Sequence, residues 1–145
     1  MIYGANQKSV LLLNSAAAAT NATATANVDT RGFDFARIAV FASTTNAPSA
    51  LKVEHSDTTD ATNFSTINAT GGTDFTIAGA SSTSTNPLAV FDVSTVGLKR
   101  YLRLSVTPAS ATANIVAVCD LGQPAIGIND ATDLSAAQYV TVPGR

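Results

Sequence analysis

What this sequence lacks narrows its chemistry before any pattern is read. It has no tryptophan, one cysteine, one histidine and one methionine in 145 residues. A lone cysteine, Cys119, cannot close an internal disulfide, so nothing suggests a stapled secreted scaffold. Within the apolar run Ile115-Val116-Ala117-Val118-Cys119 it is expected to be a small buried hydrophobe. The single histidine, His55, is the one candidate for a His-based general base, and strand alternation puts it on the face of Leu51 and Val53, as a core or rim residue. One Cys and one His far apart cannot build a zinc site by themselves. Asp57, Asp60 and Asn63 in one loop could offer oxygen to calcium, but their spacing is not that of an EF-hand and loop Asp residues commonly cap turns. No nucleophile elbow, G-x-x-x-x-G-K-[ST] or G-x-G-x-x-G motif occurs. The expectation is a protein that is not an enzyme and carries no metal or cofactor.

Charge is scarce too. Charged residues make up 12% of the chain, about half the ~25% usual in soluble domains, and the net charge is −2. No stretch concentrates Lys or Arg as phosphate tracking requires, so no nucleic acid partner is expected. The nearest approach is Lys99, Arg100 and Arg103, and strand alternation turns Arg100 away from the face shared by the other two. No run approaches the ~18 apolar residues of a membrane span, so no membrane association is expected. Lys8, Val10 to Leu13 and Ala16 to Ala19 imitate a signal peptide, yet the apolar stretch stops at Asn14-Ser15, short of the usual h-region, and is read as part of the protein. The Asn-x-Ser/Thr triplets at Asn21, Asn63 and Asn68 arise by chance in so Ser/Thr/Asn-rich a chain.

What is present is β-structure. Short runs rich in β-branched and aromatic residues recur between polar turn clusters, the pattern of an antiparallel sandwich or barrel. In Leu51 to Ser56, Leu51, Val53 and His55 alternate with Lys52, Glu54 and Ser56, giving one dry and one wet face. Tyr101 to Thr107 repeats this, with Leu102, Leu104 and Val106 opposite Tyr101, Arg103, Ser105 and Thr107. Phe35 to Ala42 and Ala113 to Cys119 are apolar at nearly every position, as for central strands covered on both sides or strands at an interface. Lys8 to Asn14, Ala22 to Val28, Asn63 to Ile67, Phe75 to Ala78 and Leu88 to Ser94 complete a set of about eight strands, the number of a jelly roll.

Hydrophobic residues at 46% suffice for one core, and residues 1–145 are read as one domain. It divides into an N-terminal segment (1–14), a β-sandwich core (15–121) and a C-terminal arm (122–145). The arm is inferred because Gly122, Pro124, Gly127, Pro143 and Gly144 punctuate a stretch that keeps Ile126, Ile128, Leu134, Tyr139, Val140 and Val142, residues in which disordered tails are depleted. A short helical turn from Asp133 to Gln138 fits within it, and the run from Ala80 to Asn86 reads as a long exposed loop.

Two segments, Asp34-Phe35-Ala36-Arg37-Ile38-Ala39-Val40 continuing to Leu51 to Asp57 and Phe64 to Ile67, and Leu98-Lys99-Arg100-Tyr101-Leu102-Arg103-Leu104-Ser105-Val106-Thr107-Pro108, resemble small structural proteins of tailed-bacteriophage heads, particularly capsid-decoration or cement proteins. The resemblance covers roughly half the chain. It implies an all-β, jelly-roll-like antiparallel sandwich with extended N- and C-terminal arms, located on the outer surface of the virion. The implied partner is the major capsid protein at joints between its subunits, and closed symmetry on a shell with three-fold sites implies a homotrimer. Repeated modest contacts from several arms then add by effective concentration. The expected contacts are Ile2, Tyr3, Leu11 and Leu13 at one end and Ile126, Leu134, Tyr139 and Val142 at the other. The rival expectations are a carbohydrate- or receptor-binding adhesion module of a fibre or tail, for which Tyr3 and Tyr139 are the tyrosines outside the expected strands, and another head-tail component of the particle.

Overall fold

The computed structural model describes residues 7–18, 24–42, 48–67, 76–78, 88–108, 113–122 and 138–142. These fold into two facing β-sheets with one short 3-10 turn, a β-sandwich. The strands are β1 (Lys8–Ala18), β2 (Ala24–Asp29), β3 (Phe35–Ala42), β4 (Pro48–Ser56), β5 (Ser65–Thr66), β6 (Thr76–Ala78), β7 (Ala89–Ser94), β8 (Tyr101–Pro108), β9 (Ala113–Gly122) and β10 (Gln138–Val142). Sheet A runs β1-β9-β3-β7-β10; sheet B runs β2-β8-β4-β5, with β6 beside β5 along the same side of β4. All pairings are antiparallel except β7 with β10.

The core is built by alternation. Ala36, Ile38 and Val40 on β3, Phe91 and Val93 on β7, and Ile115, Ala117, Cys119 and Leu121 on β9 are buried from sheet A. They meet Leu51 and Val53 on β4 and Leu102, Leu104 and Val106 on β8. Period-two patterning puts each set on one face, and inner faces of stacked sheets interdigitate at about 10 Å. Burial pushes the Cys119 thiol up to about 12, with Asp120 adding to the shift, so it carries no thiolate near neutrality.

Two tight turns carry the chain between the sheets, and they share one design. Thr30-Arg31-Gly32-Phe33 links β2 to β3, and Thr95-Val96-Gly97-Leu98 links β7 towards β8. Each closes with a bond from its fourth amide to the threonine carbonyl, at 3.0 Å in both, and each glycine has positive φ, 87° at Gly32 and 75° at Gly97. Each threonine then bonds main chain beside the other turn. Thr30 N and Oγ1 both donate to the Arg100 carbonyl, while Thr95 N donates to the Asp34 carbonyl and Thr95 Oγ1 to that of Phe33. Arg100 closes a two-pronged pair with Asp29 at 2.6 and 3.0 Å and lies over the Tyr101 ring.

Several expectations change. The described strands number ten rather than about eight. The strand expected over Lys8 to Asn14 is present and longer, since β1 runs to Ala18 and pairs along β9 from Lys8↔Leu121 to Ala18↔Ala113. Within the expected C-terminal arm, residues 138–142 lie instead on the chain's own sheet as β10, from Gln138↔Ala89 to Val142↔Val93. The physical reason is that β7 would otherwise present an open edge, and a β-branched run satisfies its backbone groups. The loop expected over Ala80 to Asn86, and the helical turn apart from Gln138, lie outside the described residues.

Replacing the fully buried Phe91 by Ala should cost about 3–5 kcal/mol in urea unfolding. Gly32→Ala should cost about 1–2 kcal/mol from backbone strain, because a Cβ there meets nothing within 4 Å.

Candidate functional site

The outward faces of the two sheets differ in kind. On sheet B the rows across strands are Asn27–Arg103–Glu54–Thr66 and Thr25–Ser105–Lys52–Thr76. They surround a depression of about 380 Å³ lined by Thr25, Ala50, Lys52, Glu54, Arg103, Ser105 and Thr107. The alternating pattern marks this face as wet, yet Glu54 is only 5% exposed and Ser105 is also buried. The cause is an ionic network. Glu54 accepts from Arg103 Nε at 2.7 Å and Ser105 Oγ at 2.8 Å through Oε2, and from Lys52 Nζ at 2.9 Å through Oε1. Arg103 also donates through Nη1 to the Ala61 carbonyl at 2.9 Å, and its guanidinium lies 4.2 Å from the centre of the Phe64 ring.

Burial alone pushes the Glu54 carboxyl up. The bonds from Arg103, Lys52 and Ser105 and the Arg103 charge outweigh it, leaving Glu54 below its ordinary 4.5. The loop next to this network is closed on itself. Asp60 caps the 3-10 turn Ala61–Asn63, accepting from Thr62 N and Oγ1, and Asn63 donates to Thr58. Of the three residues that suggested calcium, Asp60 thus has a capping role. His55 is buried, as its alternation with Leu51 and Val53 requires, and its Nδ1 accepts from Lys99 N at 3.3 Å.

On sheet A the outward face is apolar. Leu11, Val118, Ala39 and Val90 form one cross-strand row, and Val116 and Phe41 belong to the next. Leu11 is 56% and Val116 37% exposed, with Val118, Ala39 and Phe41 partly exposed. So β3 and β9 are central strands, but their outer faces are not fully covered. A polar row of Ser9, Asp120, Arg37 and Asp92 borders the patch, tied by Ser9 Oγ to Asp120 at 2.5 Å and a two-pronged Arg37–Asp92 pair at 2.6 and 2.7 Å.

Of the expected contact residues, Leu11 lies on this exposed face. Leu13 does not: it is 9% exposed and packs in the core. Simple alternation would put both on one side, but the register shifts from Leu11↔Val118 to Leu13↔Ala117, so a bulge at Leu12 turns Leu13 inward. Tyr139 and Val142 are placed by register beside Val90 and Val93 on β10. Ile2, Tyr3, Ile126 and Leu134 lie outside the described residues. Sequence reasoning missed Val116 and Phe41 as surface candidates and Glu54 as the centre of a network. A carboxylate between Lys52 and, on the neighbouring strand, Arg103 was the available signal. No family model, no curated protein and no solved structure matches this chain.

Because folding lowers the Glu54 pKa, the network's stabilisation is complete above pH 4.5 and is lost as pH falls through the depressed value. Glu54→Gln should therefore lower stability at pH 7, by roughly 3 kcal/mol since Arg103 is left without its countercharge, and flatten the loss of stability as pH falls from 7 to below 4.5. Urea midpoints across that pH range measure both effects.

Proposed function

We propose that this chain is a virion structural protein that decorates the outer surface of an icosahedral phage head and stabilises joints between major capsid protein subunits. The observation that carries the reading is the apolar outer face of sheet A, where Leu11 and Val116 stand exposed with Val118, Ala39 and Phe41 around them. Exposed contiguous apolar surface on a folded domain marks a place of association. Its polar border of Ser9, Asp120 and Arg37 matches the common anatomy of an interface, apolar at the centre and polar at the rim. The scarcity of charge lowers the desolvation penalty of bringing copies together on a shell.

Strand order supports the jelly-roll form of this reading. From β1 to β4 and from β7 to β9 successive strands alternate between β1-β9-β3-β7 and β2-β8-β4-β5, an order consistent with two interleaved Greek keys. The contact residues assigned are Leu11 and Val116, with Val118 and Phe41 beside them. Attachment works by burying this face on the coat and by repeating the contact through a trimer, so that each later contact forms at high effective concentration.

Cosedimentation with capsids lacking decoration, followed by electron cryomicroscopy, tests this. The wild type should bind in stoichiometric, symmetric order. Leu11→Asp combined with Val116→Asp should reduce binding at least tenfold while leaving the urea midpoint nearly unchanged, as both side chains are exposed. A folded double variant that binds as well as the wild type would remove sheet A as the docking face. A wild type that ignores every shell would remove the capsid reading.

A further inference from the structure

We propose that the depression on the outer face of sheet B binds a saccharide unit bearing a carboxylate, of the uronic or sialic acid class. This site lies on the opposite side of the sandwich from the apolar face of sheet A and stands independently of the capsid reading.

Three observations carry it. The first is a preformed recess: about 380 Å³ across β2, β8 and β4, at the lower end of the usual range for small-ligand sites. Its walls come from paired strands rather than loops, so its groups are fixed before a ligand arrives.

The second is charge. Lys52 and Arg103 flank the single carboxylate of Glu54, leaving one net positive charge in the recess. A monoanion neutralises that charge, whereas a dianion such as phosphate would leave surplus negative charge beside Glu54. The backbone amides that cradle phosphates elsewhere are engaged here in strand pairing.

The third is the donor and acceptor inventory. Lys52 donates to Glu54 alone among the described residues, and an ammonium has three N–H groups. Of the five N–H groups of a guanidinium, Arg103 commits Nε to Glu54 and one of Nη1 to Ala61, and the others bond no described residue. Among the described residues Glu54 Oε1 accepts only from Lys52, which leaves it capacity for a further donor. A ligand matched to this set carries a carboxylate to meet Lys52 and a hydroxyl that donates to Glu54. Sugar acids present both groups on one ring, and the hydroxyls of Thr25 and Ser105 at the wall suit their remaining hydroxyls.

A two-dimensional amide NMR titration of the full chain with glucuronate and N-acetylneuraminate tests this, with glucose and acetate as controls. At least one sugar acid should give saturable shifts centred on Lys52, Glu54, Arg103 and Ser105. Glucose and acetate should each bind at least about fivefold more weakly, and binding should weaken as salt is raised from about 20 to about 500 mM. Lys52→Gln leaves Arg103 and Ser105 on Glu54 and should abolish the preference for the acids. Thr25→Glu, at an exposed rim position outside the network, should weaken binding by electrostatic repulsion even if Lys52→Gln disturbs the fold. Absence of saturable shifts at this face, equal binding of acetate, or Thr25→Glu without effect would overturn the proposal.

Discussion

The sandwich depends on keeping two sheets in register although β1, β2, β3 and β4 fall in alternate sheets, as do β7, β8 and β9. Each of those connections crosses the gap between the layers, and apolar burial, being non-directional, does not fix which residue faces which. Directional bonds do. The turns at Thr30 and Thr95 supply them where the two tight crossings meet, each threonine reaching main chain beside the other turn. Four donors on two residues thereby join segments about 65 positions apart in sequence, and the Asp29–Arg100 pair closes the same corner. Hydrogen bonding of Arg100 holds the Asp29 carboxyl down at about 2, so this closure persists well into acid.

With the core fixed, the outward faces are free to differ. Sheet B gathers Lys52, Glu54 and Arg103 in one network, where the desolvation of Glu54 is offset by three donors and an aromatic ring braces the arginine. Sheet A places Arg37, Asp92 and Asp120 in one border row and leaves the centre of its outer face apolar. A chain with so few ionisable groups cannot cover its whole surface with them, and here they are concentrated rather than dispersed. The result is a domain with one outer face apolar at its centre and the other polar and tied by an ionic network.

Much of the fold was legible from alternation. The inward positions of Leu51, Val53 and His55, and of Leu102, Leu104 and Val106, follow from period two alone, and the near-continuous apolar runs of β3 and β9 mark the strands that lie inside sheet A. Three things were not legible. A bulge at Leu12 reverses the facing of Leu13, and a bulge is set by the partner strand's register rather than by local composition. The burial of Glu54 depends on Arg103, which neighbours it only after β4 and β8 pair. The pairing of β10 with β7 joins Gln138 to Ala89 across a separation that no local signal encodes. The Thr-x-Gly pattern at 30–32 and 95–97 was written in the sequence, but two three-residue matches acquire meaning only when the turns are seen side by side.

The pairing of β1 with β9 has a consequence in time. The first described strand has a single neighbour within its sheet, and that neighbour spans residues 113–122. A ribosome delivers the chain in order, so Val10 to Leu13 emerge more than a hundred residues ahead of the strand that covers them. Sheet A therefore cannot close until nearly the whole sandwich has left the exit tunnel, and for that interval an apolar strand with both edges open is exposed to other nascent copies. Long-range pairing of this kind also slows folding of the completed chain. The interlocked turns, whose components end at Arg100, can form earlier in synthesis and give the late-arriving β9 an assembled slot between β1 and β3.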